Sequence, residues 1–225
     1  MTTSKTIQLN EDVLADNNQA AEYVRGVLKD KHIFCLNLMS SPGAGKTTIL
    51  EQTIKELPSI YRVGVIEGDL ATEMDAERIR TSGAYAVQIN TNGGCHLDAR
   101  MIAKILHELP LEDIDILFIE NVGNLVCPSG YDLGQQHKIA ILSVPEGNDK
   151  IPKYPVMFRR TELVLLNKID LLPYLNFDVG VALEDLMGIN PESSMIQLSA
   201  KTNEGMDEWI SWINKSYNQW KEAMK

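Results

Sequence analysis

The segment that most narrows the possible folds runs from Ile33 to Thr48. Ile33-Phe34-Cys35-Leu36-Asn37-Leu38-Met39 is an apolar run with one polar interruption, the pattern of a parallel strand buried on both faces. Ser40-Ser41-Pro42-Gly43-Ala44-Gly45-Lys46-Thr47-Thr48 follows it directly. Glycines there permit backbone geometry that side chains would block, so successive N–H groups can converge on phosphate oxygens. Lys46 adds a point charge for the outer phosphates, and Thr47 adds a hydroxyl of the kind such loops place on magnesium. A helix is expected over Thr48 to Leu57, aiming its positive end at the same point. The common pattern G-x-x-x-x-G-K-[ST] has Gly where this chain has Ser40, a departure that leaves the chemistry intact because Gly43 and Gly45 flank the segment nearest the phosphates. Gly43, Ala44, Gly45, Lys46, Thr47 and Thr48 are therefore the expected phosphate contacts.

A second strand pattern, Glu162-Leu163-Val164-Leu165-Leu166, ends in Asn167-Lys168-Ile169-Asp170. Open α/β sheets place ligand contacts at strand C-termini. Asp170 can accept hydrogen bonds from guanine N1–H and the 2-amino group; adenine would leave the carboxylate unpaired, at a cost of roughly 2 kcal/mol or more. Lys168 can lay its stem over the purine, and Ser199-Ala200-Lys201, after the short strand Met195-Ile196-Gln197-Leu198, resembles a loop that reaches guanine O6. Between these motifs, Val63-Gly64-Val65-Ile66 leads to Glu67-Gly68-Asp69-Leu70, and Ile116-Leu117-Phe118-Ile119 leads to Glu120-Asn121-Val122-Gly123. Magnesium prefers hard oxygen ligands, which makes Thr47, Asp69 and Glu120 its expected partners and Lys46, Asp69 and Glu120 the expected catalytic groups. Asp75 is an additional candidate switch residue near the nucleotide. The bland alternatives are a helix N-cap for Asp69 and a solvated strand end for Glu120.

The chain has three cysteines. Cys35 falls inside the first strand and reads as core, since a free cysteine behaves as a small hydrophobe. Cys95 and His96 are adjacent, ahead of a helix with Ile102, Ile105 and Leu106 on its apolar face, and Cys127 lies a few residues beyond Glu120. Thiolate with imidazole suits zinc or nickel. Spacing alone leaves open a helix-cap pair and an unrelated loop thiol.

Taken together, Ser40 to Thr48, Glu67-Gly68-Asp69-Leu70-Ala71-Thr72, Asp75-Ala76-Glu77-Arg78-Ile79, Gly94-Cys95-His96-Leu97-Asp98-Ala99 and Glu120 to Pro128 resemble the HypB family, GTPases of the SIMIBI class that help deliver nickel to NiFe-hydrogenase precursors. Pro145-Glu146-Gly147 and Lys150-Ile151-Pro152-Lys153-Tyr154-Pro155 continue the resemblance, which runs from about Asn18 to the C-terminus. In that family Ser40 is the usual residue at its position. The resemblance implies that Cys95, His96 and Cys127 bind nickel or zinc at or near a GTP-dependent homodimer interface. It also implies a HypA-like metallochaperone and a hydrogenase large-subunit precursor as partners, and a role at the partner's nucleotide for Lys150 or Lys153. Met1 to Asn10 holds no Cys or His, so no nickel-storage segment is expected there. The alternatives are a urease-type nickel GTPase, disfavoured because a Cys-Pro-His run is missing, a small-molecule phosphotransferase on the same loop, and a non-enzymatic metal carrier.

At 225 residues the chain suits one core: a doubly wound, mostly parallel α/β sheet with helices on both faces, of the P-loop NTPase kind. The expected division is a tail and amphipathic helix over 1–30, packed on a GTPase domain over 31–225. That helix, Glu11 to Asp30, carries apolar Val13, Leu14, Ala20, Ala21, Val24, Val27 and Leu28; a closing helix over Gly205 to Lys221 carries core tryptophans. A formal charge of −10 without a basic stripe argues against nucleic acid as partner. No apolar stretch approaches the roughly 18 residues of a membrane span, so the expected compartment is the cytoplasm.

Overall fold

The computed structural model describes residues 10–68, 79 and 81–225. The described sheet has seven strands: β1 (Phe34–Ser40), β2 (Val63–Glu67), β3 (Tyr85–Gln88), β4 (Ile116–Glu120), β5 (His137–Ser143), β6 (Leu163–Asn167) and β7 (Ser194–Gln197). They lie in the order β3-β2-β4-β1-β5-β6-β7, and every pair is parallel. The α-helices whose full span is described are α1 (Asn10–Asp30), α2 (Lys46–Glu56), α3 (Ala99–Ile105), α4 (Lys150–Lys153), α5 (Pro155–Phe158), α6 (Val179–Ile189) and α7 (Met206–Ala223).

Alternation along the central strand explains the two-sided packing. Phe34, Leu36 and Leu38 meet Ile49 and Leu50 of α2 and Trp209, Ile213 and Tyr217 of α7 on one face. On the other face Cys35 lies with Val24 and Leu28 of α1 and Ile102 of α3, while Met39 joins Met157, Phe158, Ala182 and Leu186 under α5 and α6. Trp209 is wholly buried and its indole N–H donates to Thr53 Oγ1 at 2.8 Å, whereas Trp212 and Trp220 are only partly buried at the edge of that core.

In α1, Ala21, Val24 and Leu28 are core, but Leu14 is exposed and polar Asn17 is buried. Asn17 Nδ2 donates to the Asp132 carbonyl at 2.9 Å and Asn17 Oδ1 accepts from Ala99 N–H at 2.9 Å, so α1 is tied to the start of α3 by an amide rather than by apolar packing alone. Among the described residues, no helix is long and apolar enough to cross a membrane.

Candidate functional site

The C-terminal ends of β1, β4 and β6 converge on one crevice. After β1 the chain turns through Gly43 (φ 76°) and Gly45 (φ 99°), both left-handed, and α2 begins at Lys46. Lys46 is buried, and its Nζ donates to Ser40 Oγ at 3.1 Å. A Cβ on Gly45 would stand 2.5 Å from Asn167 Nδ2, so only glycine allows the two loops to approach this closely. Asn167 Nδ2 donates to Ala44 O at 2.8 Å, and Asn167 Oδ1 accepts from Ala200 N–H at 3.2 Å. Lys168 Nζ donates to Gly43 O at 2.7 Å, and Ser199 Oγ donates to Asp170 Oδ1 at 2.7 Å.

The phosphate loop, the Asn167–Asp170 turn and the Ser199–Lys201 turn therefore form one bonded unit. It encloses a cavity of about 330 Å³ lined by Gly45, Thr48, Asn167, Lys168, Asp170, Leu171, Ser199, Ala200 and Lys201. That volume suits a small planar ligand inserted edge-on toward Asp170.

Toward β4, Thr47 Oγ1 donates to Glu120 Oε1 at 2.8 Å, and Glu120 is buried, so it is not a solvated strand end. Two cis ligands of an octahedral ion with bonds of about 2.1 Å stand about 3 Å apart, so this hydroxyl and carboxylate fit magnesium in chemistry and spacing. Asp69 and Asp75 lie outside the described residues. Beyond Glu120, Gly123 presses on the phosphate loop: a Cβ there would lie 3.0 Å from Pro42 Cα.

Cys95, His96 and Cys127 come together, their ligand atoms all within 4.8 Å of one another. Cys95 Sγ is 3.4 Å from His96 Nδ1, close to the spacing of about 3.6 Å expected between sulfur and nitrogen ligands of a tetrahedral zinc. Cys95 is exposed and Cys127 half-buried, so both are open to an incoming ion. His96 stacks on Tyr131 with ring centroids 4.0 Å apart, and burial lowers its pKa, which favours the neutral imidazole that a metal requires. The hydrogen bond with Cys95, followed by burial, raises the Cys127 thiol. Asn124 Nδ2 lies 3.6 Å from Cys127 Sγ, and Asn124 Oδ1 caps the turn by accepting from Cys127 N–H at 3.2 Å.

Two site residues carry roles that the sequence reading did not assign. Glu146 accepts from Ser41 Oγ with one carboxylate oxygen and from Ser143 N–H and Oγ, both at 2.8 Å, with the other, thereby bracing the phosphate loop against β5. Its sequence signals are the capping-box relation of Ser143 to Glu146 and its place in the Pro145-Glu146-Gly147 run of the family resemblance. Asn121 is the other.

Residues 34–197 match a family described as CobW/HypB/UreG, nucleotide-binding domain. A hydrogenase maturation factor HypB of Escherichia coli K12 is 52% identical over 213 residues, 95% of this chain and 73% of that protein. A crystal structure of HypB from Helicobacter pylori in complex with nickel superposes with a TM-score of 0.85 at 39% identity, covering 91% of this chain and 96% of that one. HypB from Archaeoglobus fulgidus gives a TM-score of 0.86 at 37% identity, covering 91% of this chain and all of that one (100%). The signal recognition particle receptor FtsY from Elizabethkingia anophelis, at a TM-score of 0.52 and 14% identity over 85% of this chain and 71% of that one, shares the fold alone.

Proposed function

Because this chain belongs to the HypB family of CobW/HypB/UreG nucleotide-binding domains, we propose that it is a GTP-hydrolysing metallochaperone that assists nickel insertion into NiFe-hydrogenase. The observation that carries the reading is the single segment running from Glu120 to Cys127. One end accepts the Thr47 hydrogen bond in the phosphate corner, its middle lies against Pro42, and its far end belongs to the Cys95–His96–Cys127 set.

In this reading Asp170 selects guanine, Lys168 and the Ser199–Lys201 turn hold the base, and the loop from Gly43 to Thr48 grips the phosphates, with Lys46 balancing their charge. Thr47 and Glu120, joined by Asp69, hold magnesium, which when bound neutralises phosphate charge. Asp75 serves as a switch residue. GTP draws the Glu120–Gly123 segment toward the phosphate loop and hydrolysis releases it, so the same movement shifts Cys127 relative to Cys95 and His96. Three ligands leave a four-coordinate set open, and a two-fold homodimer completes it with a second copy. Lys150 or Lys153, at the two ends of α4, reaches toward the partner's nucleotide. The donors suit zinc as well as nickel; nickel as cargo is supported by the Helicobacter pylori relative, described as a complex with nickel. A HypA-like metallochaperone and a hydrogenase large-subunit precursor are the proposed partners, and the cytoplasm the compartment. The proposed organisation is a GTPase domain over 31–225 with 1–30 packed on it.

The test is nickel affinity and solution mass measured with GDP and with a non-hydrolysable GTP analogue. The reading expects both to depend on the nucleotide and Cys127→Ala to abolish the affinity difference. Equal nickel binding in both states would overturn it.

A further inference from the structure

Cys127 is joined to the phosphate corner along the chain, but Cys95 and His96 stand on a different loop, between β3 and α3. The side chain that bridges to that loop is Asn121, which follows Glu120 at the end of β4 and has no exposed surface. Its Oδ1 accepts two backbone N–H bonds, from Leu97 at 3.1 Å and from Val122 at 3.0 Å. Its Nδ2 donates to Asn37 Oδ1 in β1 at 3.3 Å. With Oδ1 committed to two donors, the amide has one orientation, and Asn37 must present its oxygen. Asn37 Nδ2 is then left buried without a hydrogen-bond partner among the described residues, an arrangement that stability alone disfavours.

Leu97 is the residue after His96, and it is held from a second side. Its side chain fills the space beside Gly68, where a Cβ would meet Leu97 Cδ1 at 2.4 Å, and Gly68 N–H donates to Glu120 O at 2.8 Å. Both grips on Leu97 therefore lead back to the end of β4, where Glu120 meets Thr47.

We propose that Asn121 is the positioning residue that transmits a change at the phosphate corner to the Cys95–His96 arm of the metal site. The proposal rests on the metal-switch reading above and deepens it. A shift of the β4 end carries Oδ1, and Leu97 N–H follows its acceptor, moving His96 and Cys95 in the same event that moves Cys127. Such coupling is read as the factor by which the bound nucleotide changes nickel affinity.

The experiment titrates nickel into the wild type, Asn121→Ala and Asn121→Asp, each loaded with GDP or a non-hydrolysable GTP analogue, and takes the ratio of the two nickel dissociation constants as the coupling factor. Asn121→Ala removes the acceptor and is expected to change that factor at least about threefold from its wild-type value, Cys127 still moving with the chain, while nucleotide affinities stay within about threefold of wild type. Asn121→Asp keeps an oxygen that accepts both N–H bonds and lets Asn37 turn its amide donor inward, so it is expected to return the factor most of the way to the wild-type value. A purely structural role would lower the melting temperature and leave the ratio unchanged, and that result overturns the proposal. A wild-type factor of 1 instead sinks the metal-switch reading itself. Should Asn121→Ala not fold, the Leu97 amide of the wild type decides. Its NMR signal is expected to shift when GDP is exchanged for the analogue, and a Leu97 signal that stays fixed while Val122 responds refutes the proposal.

Discussion

Replacing Gly45 by alanine perturbs two quantities that the structure separates. The residue caps α2 at φ 99° and ψ 28°, a left-handed conformation costing an L-residue about 1–2 kcal/mol. The new methyl would also stand 2.5 Å from Asn167 Nδ2 and push it from its 2.8 Å hydrogen bond to Ala44 O, adding about 0.5–1.5 kcal/mol. The sum, about 1.5–3.5 kcal/mol, predicts a fall in the melting temperature of the nucleotide-free protein of roughly 3–14 °C. Gly43 supplies the internal control. It too is left-handed, at φ 76°, but nothing lies within 4 Å of its Cβ position, so Gly43→Ala should cost only about the backbone share. The difference between the two variants isolates the loop-to-loop contact. Because that contact shapes the base cavity, GDP affinity measured with a fluorescent analogue should fall at least about tenfold in Gly45→Ala, with a smaller loss in Gly43→Ala. Equal effects of the two substitutions on both readouts would show that the Asn167 contact carries no weight and refute the reasoning.

Thr47→Ala removes the hydroxyl 2.8 Å from Glu120, and magnesium-dependent GTP hydrolysis should fall by about tenfold or more while magnesium-free GDP binding changes little; single-turnover assays read this. Asp170→Asn replaces an acceptor by a donor, so the preference for GTP over xanthosine triphosphate in competition binding should reverse or collapse by about tenfold or more. Trp209→Ala empties a fully buried site and leaves Thr53 Oγ1 without its indole donor, predicting a loss of about 3–5 kcal/mol in urea unfolding. The Arg62 guanidinium, bonded to both Asp115 oxygens at 2.9 and 3.1 Å, holds the Asp115 carboxyl below the usual carboxylate range. A lowered native pKa gives stability that is complete above the unfolded value of about 3.9 and is lost as pH falls through the native one. The stability difference between wild type and Asp115→Asn should therefore be constant near neutrality and vanish below that window, as read by acid titration of the melting temperature.

The parts legible in the sequence share one property: each carries its physical cause within a few residues. β1 and β6 are apolar runs long enough to be buried on both faces, and the glycines before Lys46 announce the turn that follows. What escaped depends on distant partners. β3 reads poorly because it is an edge strand whose Tyr85 is exposed, and β5 opens with half-buried His137 and buried Lys138, whose positions follow from neighbours rather than from pattern. Leu14 appears apolar and core-facing in the helical repeat, yet Asn17 takes the buried position because Asp132 and Ala99 satisfy its amide. Glu146 meets Ser41 across 105 residues and Asn121 meets Asn37 across 84, contacts that no local spacing encodes. Cys95, His96 and Cys127 are intermediate: their chemistry was plain, and only the fold brought them within one ligand radius.

Burial has a practical consequence for the third cysteine. Cys35 has no exposed surface, and desolvation pushes its thiol far above the usual range, so alkylating reagents find almost no thiolate there in the folded protein. Native labelling thus counts two thiols, Cys95 and Cys127, and a third only after denaturation. Mass-resolved alkylation becomes a direct occupancy gauge: each ion seated between those two sulfurs subtracts from a signal that Cys35 cannot contaminate, and the same chromatogram reports unfolding as the moment the count rises to three.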